Sequence, residues 1–352
     1  MSKRIVFCTD GTWENTSNDT NVYKVYRALT TSADQVGYYD DGVGADRLPI
    51  EKVLGGAFGT GLFQKVKDGY TQIAQLYEQD DPIFVFGFSR GAYTARSIAG
   101  MIAVCGLPTK DFDGKLVDTA FQAYRNRDQR AALLAQLNQN YAMYDAKITM
   151  VGVWDTVGSL GIPATFGGVD PLLYGFLDTT LHPDVLNAFH AIAIDERRSE
   201  FPPTLWTGSP AAGQTVEQVW FTGVHSDVGG GYGDDAATGS ALSDITLSWM
   251  MSKAWALGLE SDPAFQKQNS NLGAQYALDT KHQTWNVLWG FPRSRSISDS
   301  ASLANSVVIR YQNDSTYRPG NLKFPGGAPA PGYRIVPVVA AAPAPAVLAA
   351  GT

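Results

Sequence analysis

Pro82-Ile83-Phe84-Val85-Phe86-Gly87-Phe88-Ser89-Arg90-Gly91-Ala92-Tyr93-Thr94-Ala95-Arg96 is the most informative stretch of the chain. Its apolar run reads as a strand buried on both faces, as in a parallel sheet. A Gly-x-Ser-x-Gly turn and a small-residue helix start follow. Glycines two before and two after the serine permit a sharp strand-to-helix turn, because a side chain at either position would meet neighbouring backbone. Ser89 is therefore a candidate nucleophile, with Gly87 and Gly91 as its supports. The alternative is a plain turn serine.

Comparable apolar runs occur at Arg4–Thr9, Lys147–Trp154, Phe189–Ile194 and Val219–Gly223, and helical periodicity covers Leu62–Glu78 and Thr94–Val104. This alternation predicts an α/β fold, α/β-hydrolase-like, with a mostly parallel central sheet, helices on both faces and cap insertions. The runs end in Asp10-Gly11-Thr12, Phe88-Ser89-Arg90-Gly91, Asp155-Thr156-Val157-Gly158, Asp195-Glu196-Arg197 and Val224-His225-Ser226-Asp227. Such loops gather at the carboxyl edge of a parallel sheet, where ligands bind. Residues 1–325 read as one domain with candidate caps at 158–181 and 255–295, the second containing the aromatic run Trp285–Phe291. Both segments also read as ordinary packing loops. Residues 326–352 are Pro/Ala-rich and read as a peripheral wrap or tail. Gly55–Leu62 lacks the Gly-Lys-Ser/Thr of a phosphate loop and reads as a connector before a helix.

With 44% apolar and 17% charged residues in 352, disorder is excluded over most of the length. Lys+Arg 27 against Asp+Glu 34, a net charge of −7, with no basic run, argues against nucleic acid as a partner. Cys8 and Cys105 show no metal or redox spacing and read as buried thiols. The apolar stretch Ile5–Cys8 is too short for the roughly 7–15-residue core of a secretory signal, and no run reaches the about 20 residues that span a bilayer. These features predict a cytoplasmic protein, or one exported by a signal-less route; they set no oligomeric state.

A serine hydroxyl needs a base to take its proton, and the chain offers four histidines: His182, His190, His225 and His282. His225, directly after a strand and before Gly229-Gly230-Gly231, is the best placed. His190 lies in an apolar run and reads as core, His182 precedes Pro183 and reads as surface or cap, and His282 is the reserve. Asp155, closing a strand, is the candidate acid. Asp195 is its rival, but beside Glu196, Arg197 and Arg198 it reads as part of an ion-pair cluster, while Asp227 reads as a brace for the glycine loop. The order Ser89, Asp155, His225 is that of α/β-hydrolases. An oxyanion needs two donors; the expected ones are the backbone N–H of Arg90 and one from the loop holding Gly11 and Thr12. Asp10 is expected to accept backbone hydrogen bonds and hold that loop. Arg90 and Arg96 read either as grips for a substrate phosphate or as partners of structural carboxylates. No cofactor or metal is expected.

Taken together, Cys8–Trp13, Tyr38–Gly44, Gly87–Ala92, Gly152–Gly158, Ala193–Arg198 and Gly223–Tyr232 resemble the signature blocks of the DUF2235 family. That family comprises α/β-hydrolase domains and includes phospholipase effectors of bacterial type VI secretion. One departure is Thr222, where the family usually has proline. The resemblance implies a Ser-Asp-His triad on Ser89, Asp155 and His225 and an esterase or phospholipase A-type activity. The expected partner is a small-molecule or lipid ester, with peripheral membrane contact open to the apolar caps. Two alternatives are metal-assisted phosphoester hydrolysis, with Asp10, Asp227 and His225 as ligands, and a catalytically silent interaction module on the same fold.

Overall fold

A computed structural model describes residues 2–11, 19–41, 57–109, 111–157, 179–199, 201–235, 238–285 and 291–340. In chain order the main elements are β1 (Arg4–Thr9), α1 (Asn21–Ala28), β2 (Gln35–Asp40), α2 (Ala57–Leu76), β3 (Ile83–Phe88), α3 (Ser89–Cys105), α4 (Gly114–Arg125), α5 (Arg130–Asn140) and β4 (Ile148–Trp154). There follow β5 (Asn187–Ala193), β6 (Thr215–Phe221), α6 (His225–Gly229), α7 (Leu242–Ala256), α8 (Pro263–Gln268), β7 (Ser302–Ala304), α9 (Asn305–Asn313) and β8 (Arg334–Val336). Apart from the two-residue strands Leu107–Pro108 and Met143–Tyr144, which pair only with each other, the strands among the described residues form one eight-stranded sheet in the order β8-β7-β6-β5-β4-β3-β1-β2. Every neighbouring pair is parallel. This is the α/β-hydrolase-like architecture expected from the sequence, with all strand ends that carry candidate residues on one edge.

The central strands β1, β3 and β4 are apolar at nearly every position because both their faces are covered. Ile5, Phe7, Ile83, Val85, Val151 and Val153 pack against α2, α3 and α4 on one side. Val6, Cys8, Phe84, Phe86, Met150 and Trp154 pack against α1, α7 and α9 on the other. Each fully buried side chain of this kind stabilises the fold by about 1.5–3 kcal/mol. Both cysteines are free and buried, and burial pushes the Cys105 thiol up to about 12.

Three strands were not legible in the sequence. β2 (Gln-Val-Gly-Tyr-Tyr-Asp) is an edge strand with a mixed pattern, and β7 and β8 have three residues each. Helix α2 starts at Ala57 and takes in Gly59 and Gly61, so the expected connector is partly helical. Burial of Val66, Tyr70 and Ile73 offsets the roughly 1 kcal/mol that a helical glycine costs. In the segment expected as a tail, β8 pairs with β7, and Val336 and Val339 join the core; residues 341–352 lie outside the described residues. Leu259 and Leu272, in the second candidate cap, are also core residues. Residues 158–178 of the first candidate cap and 286–290 of the aromatic run lie outside the described residues. Among the described residues no helix is long and apolar enough to cross a membrane.

Helix α3 leaves β3 with no intervening loop, and two glycines make that possible. A Cβ on Gly91 would lie 2.2 Å from the Thr9 carbonyl oxygen and 2.5 Å from that of Asp10, and one on Gly87 would lie 2.5 Å from the Gly91 oxygen. Backbone thus packs directly on backbone between the ends of β1 and β3. Gly91→Ala should lower the unfolding free energy by about 1–3 kcal/mol, read as a lower urea midpoint at unchanged slope. An unchanged midpoint would mean that the contact is slack.

Candidate active site

Ser89 is the first residue of α3 and has φ 59°, in the left-handed region that side chains disfavour. Such a backbone costs about 1–3 kcal/mol and persists only where the surroundings over-determine it; here the glycine contacts do so. The His225 ring, at the start of α6, has Nε2 2.8 Å from Ser89 Oγ and Nδ1 2.6 Å from Asp155 Oδ2. Asp155 directly follows β4, has φ 38° and is fully buried. The three side chains therefore meet from the carboxyl ends of β3, β4 and β6. The imidazole packs against Phe88, with ring centroids 4.5 Å apart, and edge-on against Phe201 at 5.1 Å. Gly229 lets α6 approach: a Cβ there would lie 2.0 Å from the Phe88 ring.

The carboxylate has a further partner that sequence reasoning missed. Arg295 donates from Nη1 to Asp155 Oδ1 at 2.6 Å and from Nη2 to Oδ2 at 2.9 Å. Its remaining bonds, 2.8 Å each to the Ala193 and Phe201 carbonyls, fix the guanidinium plane. The Ala193 N–H also donates to Oδ1, at 2.9 Å. Burial alone would drive the Asp155 carboxyl toward neutrality, but the Arg295 charge and the His225 hydrogen bond hold it well below the usual carboxylate range. Burial lowers the His225 imidazole and outweighs the upward pull of Asp155. Because Arg295 already compensates Asp155, less of its charge is left to stabilise an imidazolium.

Glu196 is a second buried carboxylate beside the ring. It accepts the His225 backbone N–H at 3.3 Å and takes both Nε and Nη2 of Arg198, at 3.0 and 2.8 Å. Burial opposes its charge, and Arg198 brings it down to about 2. Asp195, the rival acid, instead accepts the Gly223 N–H at 2.7 Å and the Tyr317 hydroxyl at 3.1 Å.

Asp10 accepts the Gly11 N–H at 2.9 Å, the Tyr39 hydroxyl at 2.9 Å and the Thr20 hydroxyl. Burial raises its pKa despite these bonds. The Gly11 N–H is thereby turned onto Asp10, which corrects its expected role as an oxyanion donor; Thr12 lies outside the described residues. Arg90 is in the first turn of α3, where helix N–H groups lack intrahelical acceptors. Asp227 accepts the backbone N–H groups of Val224 (2.9 Å) and His282 (3.1 Å) and pairs with His282 Nδ1 at 2.6 Å, bracing the turn that carries His225. His190 is buried, accepts the Thr156 N–H at 3.0 Å and is pushed by burial down to about 3. His182 bonds locally to the Asp184 N–H. Asp10, Asp227 and His225 do not converge on a common point as a metal site needs, and no group of three ligating side chains gathers among the described residues. A large cleft of about 990 Å³, bordered by Gln64, Lys67 and Phe112, contains none of Ser89, Asp155 and His225.

The family described as "T6SS, Phospholipase effector Tle1-like, catalytic domain" matches residues 3–253. The uncharacterized protein YEL023C of Saccharomyces cerevisiae is 32% identical over 235 residues, 59% of this chain and 33% of that protein. The chain thus spans about a third of that relative's length. A crystal structure of an uncharacterized protein from Pseudomonas aeruginosa aligns with 75% of this chain and 47% of its own, at 18% identity and TM-score 0.46. A structure of the Tle1 effector bound to the VgrG spike aligns with 66% of this chain and 52% of its own, at 17% identity and TM-score 0.36. His282, Arg295 and Tyr317 lie beyond the matched residues.

Arg295→Met would leave a buried carboxylate without its counter-charge, and should cost about 3–5 kcal/mol of stability at neutral pH. The folded pKa of Asp155 is depressed, so the stability it contributes is present above the unfolded value, about 3.9, and is lost as pH falls through the folded value. Removing Arg295 raises the folded value, so acid unfolding of the variant should begin at higher pH than in the wild type. Superimposable acid-unfolding curves would show that Arg295 does not hold the charge.

Proposed function

The chain belongs to the Tle1-like phospholipase effector catalytic-domain family of type VI secretion, and from that membership we propose that it hydrolyses carboxylic esters, lipid esters foremost, through an acyl-enzyme on Ser89. The observation that carries the proposal is one imidazole spanning 2.8 Å to a hydroxyl on a left-handed turn and 2.6 Å to a buried carboxylate. In this reading Asp155 holds Nδ1–H and fixes the tautomer that turns the Nε2 lone pair toward Ser89. His225 takes the hydroxyl proton as Oγ attacks the ester carbonyl carbon. The Arg90 N–H, in the first turn of α3, meets the developing oxyanion. On collapse the carbonyl–alkoxide bond breaks, and His225 gives its proton to the leaving alcohol. Water then attacks the acyl group with His225 again as base, which releases the acid and restores Ser89. The lipid class rests on the family description alone.

A fluorophosphonate probe should label Ser89, and the label should be lost in Ser89→Ala. Hydrolysis of p-nitrophenyl esters and of phosphatidylcholine micelles should fall on the order of 10⁴-fold or more in Ser89→Ala and in His225→Ala, and should persist in EDTA. The acid limb of kcat/KM should lie below the ordinary histidine value of about 6.5, because burial lowers His225. A folded protein that is neither labelled nor active would overturn the proposal, and activity abolished by chelation would favour the metal-assisted alternative.

A further inference from the structure

Glu196 and Arg198 follow β5, and both are withdrawn from water: Glu196 is 1% exposed and the Arg198 side chain 13%. Nε and Nη2 of the guanidinium take the two carboxylate oxygens in parallel, at 3.0 and 2.8 Å, a fork that lysine cannot reproduce. Thr284 Oγ1 donates to the same carboxylate at 3.2 Å. A buried ion pair contributes little net stability, because desolvation offsets most of the attraction. Its neighbours point to another role.

Glu196 Oε2 accepts the His225 backbone N–H at 3.3 Å, one of the groups that the start of α6 leaves without an intrahelical acceptor. Arg198 reaches the imidazole through Phe201. The guanidinium carbon lies 3.6 Å from the centre of the Phe201 ring, and that ring meets His225 edge-on, at 80° and 5.1 Å between centroids. The Phe201 N–H donates to the Arg198 carbonyl at 3.1 Å, and the Phe201 carbonyl accepts Arg295 Nη2 at 2.8 Å. Phe201 is thus held by its backbone as well as by its ring.

We infer that Glu196 and Arg198 are positioning residues for His225: the carboxylate fixes the backbone that carries the imidazole, and the guanidinium holds Phe201 against the ring. As a statement about catalysis this rests on the Ser89 reading above. The titratable and charged groups facing His225 are Asp155 at Nδ1 with Arg295 behind it, Ser89 at Nε2, Glu196 and Arg198, and Asp227 on its own helix, paired with His282. Burial lowers the imidazole most; of the ion pair, Arg198 pushes it down and Glu196 pulls it up.

Glu196→Gln removes the anion and leaves the cation, which disfavours the imidazolium, so the acid limb of kcat/KM should move down by about 0.5 pH unit or more. Arg198→Lys keeps the charge but gives up the fork and the flat stack. It should leave the limb in place and lower kcat about tenfold or more with KM little changed, and Phe201→Leu should lower kcat to a similar degree. Nuclear magnetic resonance of the full chain labelled with ring-¹⁵N histidine reads the same unit without any ester. The His225 titration should fall in Glu196→Gln, and the Nδ1 proton line held against Asp155 should broaden in Arg198→Lys and in Phe201→Leu. Should Glu196→Gln fail to fold, the double variant Glu196→Gln/Arg198→Met, which removes both charges, should titrate close to the wild type and still show the broadened line. An unmoved titration in Glu196→Gln, or a sharp Nδ1 line in Arg198→Lys and Phe201→Leu or in the double variant, would overturn the inference even if the wild type hydrolyses esters. The expected resonance changes in a wild type that is inactive and unlabelled would defeat ester hydrolysis instead and uphold the positioning of the ring.

Discussion

The Asp155 carboxylate, fully buried and shared between His225 and Arg295, is the constraint on which the site depends. An ionised carboxylate out of water is tolerated only when its oxygens are matched by donors and its charge by a cation. Here the backbone N–H of Ala193, the imidazole and a two-pronged guanidinium supply that match. Because the partners come from three separate stretches of chain, the carboxylate also ties the end of β4 to the ends of β5 and β6 and to the segment around residue 295. The ring of His225 inherits its orientation from this arrangement and from the two phenylalanines that clasp it.

A second constraint is steric. The sheet is parallel, so every candidate loop emerges on the same edge, but convergence to hydrogen-bond distance also needs backbones to approach more closely than side chains permit. Gly87 and Gly91 allow this at the serine turn, and Gly229 allows it where α6 meets Phe88. The left-handed backbone at Ser89 and Asp155 is the local cost of that convergence, sustained by the packing around it.

The segment beyond residue 253, outside the matched family region, is part of the same construction. It contributes Arg295 to Asp155, the His282 pairing to Asp227 and the Tyr317 hydroxyl to Asp195. Asn321 adds hydrogen bonds to the Ile194 and Arg295 carbonyls, which lock the arginine loop against the end of β5. Strands β7 and β8 then extend the sheet beyond β6. The edge that carries the candidate residues is thus buttressed by chain far away in sequence.

Much of this was legible in the amino-acid order, because the relevant signals are local. Two-sided burial writes itself as an unbroken apolar run, so five of the eight strands could be read directly, whereas an edge strand such as β2 and three-residue strands such as β7 and β8 leave too little pattern. The glycine spacing around Ser89 and the strand-end positions of Asp155 and His225 are likewise local, and they identified the three side chains that meet. What depended on the folded chain is whatever is fixed by partners distant in sequence. Arg295 sits in a polar loop with no motif, the Gly11 N–H turns onto its neighbour's carboxylate, and Arg96 is buried beside a cavity instead of an acid. Charge compensation and desolvation depend on distances in space, and a sequence records only neighbours along the chain.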